Sequence, residues 1–261
     1  MTALEQCYPG DITQVHGIRV GHAQNTQART GVSVVLCRKE GAVGGVSVRG
    51  AAPGTRETDL LRPGNFVEHA HAVVLSGGSA YGLDAASGVM HWLEKMGIGL
   101  DMGVSRVPIV PAAVLYDLSV GDPLIRPDAA MGKAACMNAA KGLVQGKVGA
   151  GCGCTVGKLI PGASPQDGGI GSASITLPEG VTVGALVAVN ACGDVYHPTT
   201  GQILGCAHLP DGTPVPAEGL LYGQSPTAQK MRIPAPGSNT TIGVVAVDCK
   251  LTRNRQTAWQ T

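Results

Sequence analysis

The stretches KVGAGCGCTVGK (147–158), GGIGSASITL (168–177) and VTVGALVAVNACGDV (181–195) set glycine among valine, alanine, threonine and isoleucine. Glycine in a helix interior costs about 1 kcal/mol relative to alanine, so a chain built this way is a poor helical bundle. The 39 glycines of the 261-residue chain follow no collagen-like period. They suit tight turns and close backbone packing in a sheet-rich fold. Aromatic residues make up only 3% while hydrophobic residues reach 44%, so a sizeable core has to be assembled from Val, Ala, Leu and Gly.

Patterning along the chain supports a layered α+β domain. GVSVVLCRKEGAVGGVSVRG (31–50) reads as two strands around a turn at Lys39–Gly41, and HAVVLSGG (71–78) as a short buried strand ending in a glycine loop. Leu83, Ala86, Met90 and Leu93 then mark one face of a helix that Gly97 ends. Pro127 and Asp128 open a second, small-residue helix reaching about Lys141. The three glycine-rich stretches read as strands. Residues 197–238 are proline-rich and loop-like, and Thr240–Val247 resumes a β-branched run. With no repeat and no linker besides that loop, residues 1–261 read as one domain.

Charge excludes several classes. Net charge is +1, without a basic block, so nucleic acid is an unsuitable partner. No secretory leader and no apolar run of membrane-spanning length is visible, so a cytoplasmic protein is expected. The eight cysteines read as small buried thiols, Cys37, Cys192 and Cys249 lying in or beside strand-like runs. Cys152-Gly-Cys154 lacks a second Cys or His pair that would complete a metal site.

LSGGSAYG (75–82) has the strand–glycine–helix order of an anion-binding loop. It lacks the P-loop lysine and the dinucleotide spacing, and reads first as tight helix–strand packing. An anion-binding module using Gly77, Gly78 and Ser79 is kept as a minor reading.

More chemistry lies in PAPGSNTTIGVVAVD (234–248), where loop formers run straight into strand formers. A threonine opening a strand is ordinarily a β-branched strand residue. If the Asn239–Thr240 bond were cut, however, Thr240 would carry both a hydroxyl nucleophile and a free α-amine. An α-amine has a pKa of about 7.7–8.0 and can accept a proton near neutrality. Thr241 competes for the role by sequence alone.

DITQVHGIRVGH, GVSVVL, LSGGSAYGLDAASGV, VPIVPAAVLYDL, AGCGCTVGK, VAVNACGDV and SNTTIGVVAVD occur in this order across nearly the whole chain. In them the sequence resembles the self-cleaving N-terminal-nucleophile amidohydrolases: D-/β-aminopeptidases, a pantetheine amide hydrolase and nylon-oligomer hydrolases. The resemblance implies an αββα sandwich, two packed sheets flanked by helices, with no metal and no organic cofactor. It implies a small amide or peptide substrate, such as a β- or D-amino peptide or an ω-amino acid oligomer, and a homo-oligomer.

The resemblance also implies roles for particular residues. Thr240 falls at the nucleophile and Asn239 at the cut, dividing the chain into 1–239 and 240–261. Asn190 falls where an asparagine contacts the reacting carbonyl; as a residue alone it reads equally as a turn asparagine. Tyr116 falls on a pocket tyrosine able to donate its phenol proton, and otherwise reads as strand packing. Lys158 falls on a lysine near the nucleophile, where its charge would lower the pKa of the α-amine; otherwise it is a strand-end lysine. The family continues well past the nucleophile with a helix, a strand and acidic groups, whereas this sequence runs from Thr240 only to Thr261. A shortened, catalytically silent fold fragment is therefore the rival expectation.

Overall fold

The computed structural model describes residues 9–222 and 238–249. Its main sheet has five strands: β1 (Arg19–Asn25), β2 (Thr30–Leu36), β3 (Thr55–Arg56), β4 (Ala72–Ser76) and β5 (Ala112–Val114). Their spatial order is β1-β2-β4-β5-β3, with only β4 and β5 parallel. A second, antiparallel sheet is formed by β6 (Gly169–Thr176), β7 (Thr182–Asn190) and β8 (Thr240–Val247), with β7 in the middle.

Period-two alternation sends the strand side chains into two different cores. Val32, Val34, Leu36, Val74 and Ala112 face α1 (Ala85–Lys95) and α2 (Ala129–Met137) through Val89, Leu93 and Ala135. On the opposite face, Val35 and Leu75 meet Ile170, Leu186 and Ala188 of the second sheet, backed by Ile242, Val244 and Ala246. Thus β2 is buried along its whole length between the helices and the second sheet.

The described residues show three layers, helix–sheet–sheet. The outer face of the second sheet leaves Val245 73% and Ile175 52% exposed. The expected second helical layer does not lie on this face among the described residues.

Both helices end as the sequence signals suggest. The α1 helix follows a 3₁₀ turn at Ser79–Asp84, and Gly97, at φ +68°, donates its N–H to the Glu94 carbonyl beyond the helix end. Asp128 caps α2, its carboxylate accepting from the Met131 N–H at 2.8 Å. This helix stops at Met137, short of Lys141, because Ala140 instead pairs with Val20. Asp128→Ala is expected to lower stability by about 1 kcal/mol, the usual loss of a helix cap, measurable by urea unfolding. An unchanged midpoint and slope would show that water replaces the cap without cost.

Two strand expectations need correction. After β2 the chain forms only a two-residue strand, Ala42–Val43, which pairs with His69–Ala70. It cannot pair with β2, whose two edges are taken by β1 and β4. Likewise KVGAGCGCTVGK is mostly turn: a 3₁₀ turn at Gly149–Gly151 precedes a two-residue strand, Thr155–Val156. A Cβ at Gly149, Gly151 or Gly153 would collide with Ser33, the Ile170 backbone or the Arg29 carbonyl, so the glycines there serve close approach. Short pairings, Ile203–Gly205 and Ala207–His208 among them, also interrupt the stretch expected to be loop.

Candidate active site

The site grows from the register of β7 and β8. Asn190, the last residue of β7, stands opposite Thr240, the first of β8. Residues directly opposed in an antiparallel pair have Cα atoms about 4.5–5.5 Å apart and present their side chains to one face. Thr240 therefore shares the core-side face with Asn190 and is half-buried. Thr241 pairs with Val189 on the outer face and is exposed.

Asn190 is fully buried, and its carboxamide is held at both ends. Its Nδ2 donates to the Tyr116 carbonyl at 2.7 Å and lies 3.5 Å from the Ser238 carbonyl. Its Oδ1 accepts from the Thr155 N–H at 3.1 Å and from Lys158 Nζ at 2.7 Å. Turn asparagines seldom hold so many buried partners, and the arrangement fixes which end of the amide donates.

Lys158 arrives because its backbone N–H pairs with the Cys192 carbonyl just past β7. Its Nζ also lies 3.4 Å from the carbonyls of Asn190 and Ser238. Burial pushes its pKa down to about 8, with the nearby Cys154 and Cys192 pulling the other way. Lys158 is thus no surface lysine; its proton is exchangeable near neutral pH.

Tyr116 is half-buried and touches Asn190 through its carbonyl rather than its phenol. Asn239 donates Nδ2 to Ser238 Oγ at 3.2 Å, while its Oδ1 is buried without a partner among the described residues. The Thr155 N–H and the Ser238 carbonyl were missed at the level of sequence. Both are backbone groups, which no side-chain pattern announces.

The glycine loop spends its N–H groups within the chain, in line with its first reading as tight packing. Gly77 N–H donates to the Gly31 carbonyl, Gly78 N–H to Asp117 Oδ1 at 2.7 Å, and Ser79 N–H to the Leu115 carbonyl. All three donors of the minor anion-binding reading are engaged within the chain. The two thiols of Cys152-Gly-Cys154 point to different backbone carbonyls, Asn25 and Ala150. Burial pushes the Cys154 thiol up to about 12, as expected for a packing residue.

Two sheets pack face to face under helices, and the threonine that opens β8 stands beside a buried asparagine and a half-buried lysine. The same fold is seen in the L-aminopeptidase D-Ala-esterase/amidase of Ochrobactrum anthropi, described as a variant of the Ntn hydrolase fold. The TM-score is 0.60 at 22% identity, covering 92% of this chain and 63% of that one. Residues 10–258 match peptidase family S58, and the chain belongs to that family.

An uncharacterised aminopeptidase of Mycobacterium leprae (strain TN) is 45% identical over 260 residues, covering 92% of this chain and 68% of the relative. A 6-aminohexanoate-oligomer endohydrolase of Kocuria sp. (strain KY2) is 29% identical over 236 residues, covering 90% of this chain and 62% of the relative.

Proposed function

We propose that the chain is a self-processing amide hydrolase in which Thr240 is the nucleophile and Asn239–Thr240 the bond that is cut. The observation that carries this reading is the pairing of Thr240 with Asn190 on one face of the second sheet, with Lys158 bonded to the Asn190 amide. The Thr240 hydroxyl adds to the Asn239 carbonyl, and the C–N bond breaks to leave an ester on Oγ. That break already frees the Thr240 α-amine; water then hydrolyses the ester, leaving a carboxylate on Asn239 and restoring the Thr240 hydroxyl.

In the mature site the same hydroxyl attacks the substrate amide, with the α-amine taking its proton. Asn190 Nδ2 donates to the oxyanion, and Lys158 polarises the Asn190 carboxamide from its oxygen end. The substrate class is an amide of a short peptide or an ω-amino acid oligomer, by analogy with relatives named for those activities. Intact mass after incubation tests the reading: two fragments meeting at Asn239–Thr240 are expected, and a chain that stays whole counts against it.

A pH dependence follows. Hydrolysis should rise as the Thr240 α-amine loses its proton, ordinarily at about 7.7–8.0 and lower beside a cation. It should fall again as Lys158 loses its own proton at about 8. The optimum is therefore narrow and close to neutral. Lys158→Arg, which keeps its charge, should move the falling limb to higher pH; an unmoved limb would assign that limb to another group.

A further inference from the structure

We propose that Asp117 is a positioning residue of this site, holding the two backbone segments that fix the Asn190 amide. The inference rests on the role given to Asn190 above, and concerns how Asn190 is kept in place. Asp117 is 2% exposed. Its Oδ2 accepts from Thr30 Oγ1 at 2.7 Å and its Oδ1 from the Gly78 N–H at 2.7 Å. No ion pair reaches it among the described residues. Burial accordingly holds its carboxyl above the ordinary carboxylate range, against the pull of those two donors. A buried carboxylate without a cation is a costly way to fill a core position, and an apolar residue there would pack more cheaply.

Its placement accounts for that cost. Asp117 directly follows Tyr116, whose carbonyl accepts from Asn190 Nδ2. On its other side it lies against Gly153, where an added Cβ would come within 2.6 Å of the Asp117 Cβ. Gly153 leads by two residues to Thr155, whose N–H donates to Asn190 Oδ1. The two ends of the Asn190 carboxamide thus rest on segments that meet at Asp117. The carboxylate in turn anchors both to the start of β2 and to the glycine loop. Of that loop's three N–H groups, the Gly78 N–H is the one that reaches this carboxylate.

The test combines self-cleavage with the side-chain amide signals of Asn190 in nitrogen-15 NMR. Asp117→Ala should slow cleavage at Asn239–Thr240 by about 10²-fold, the scale of a 1 Å misplacement, and shift the Asn190 amide signals. Asp117→Asn keeps one acceptor for Gly78 and one partner for Thr30, so it should restore both readouts nearly to wild type. Val34→Ala, which removes buried side-chain volume from β2 away from the site, serves as the destabilised control at matched melting temperature.

If Val34→Ala moves both readouts as far as Asp117→Ala, or if Asp117→Asn is as impaired as alanine, the positioning role is overturned. If the wild-type chain stays whole but the Asn190 signals still respond to Asp117→Ala alone, the positioning role stands and the hydrolase reading falls. If the chain is cut and the Asn190 signals do not respond, the hydrolase reading stands and the positioning role falls.

Discussion

Thr240→Ala is expected to leave the chain in one piece. Without the hydroxyl there is no nucleophile for the Asn239 carbonyl, and no other hydroxyl takes its place on that face of β8. Thr241 is one residue away in sequence but lies on the outer face, paired with Val189. Thr241→Ala should therefore be cut like wild type. Intact mass spectrometry over a time course reads both variants directly. Efficient cleavage of Thr240→Ala at the same bond would remove Thr240 from the mechanism. Loss of cleavage in Thr241→Ala at unchanged stability would transfer the role to its neighbour.

In the mature enzyme, Asn190→Ala is expected to lower kcat by about 10²–10³, the usual loss for one oxyanion donor. The same truncation leaves the Thr155 N–H without its acceptor and the Tyr116 carbonyl without its donor, and takes from Lys158 its 2.7 Å partner. Each buried group so orphaned costs roughly 1–3 kcal/mol, so the melting temperature should fall too. Rates therefore have to be taken well below the variant's melting point and at saturating substrate. Unchanged kcat under those conditions would make Asn190 a structural residue.

Features of the fold that depend on local pattern were legible in the sequence. The three-four-three spacing of Leu83, Ala86, Met90 and Leu93 marks the helix, and Asp128 marks the start of the next. The β-branched runs of β7 and β8 were equally clear. Glycine misled where its reason was contact with distant backbone, as at Gly149–Gly153, since alternation with small residues imitates a strand.

The site was legible as residue types and not as contacts. Asn190 and Tyr116 are 74 positions apart, and the group Tyr116 offers to Asn190 is a carbonyl that every residue possesses. Asp117 did leave a trace, as a single charge in the otherwise apolar run VPIVPAAVLYDL. An acid in such a run needs partners that only the assembled sheet and loop provide.

The ladder between β7 and β8 has a consequence for how such a site changes. Its eight paired positions run from Val183–Val247 to Asn190–Thr240. Ile242, Val244 and Ala246 are locked into the core between the sheets. What brings the hydroxyl to the amide is thus parity: Thr240 sits an even number of steps from those core residues. One residue inserted between Thr240 and Ile242 would turn the hydroxyl to the outer face, though every side chain of the site remained. Residues added between Asn190 and Ser238 leave that count untouched. The connection there can therefore lengthen or shorten while Thr240 and Asn190 stay in step.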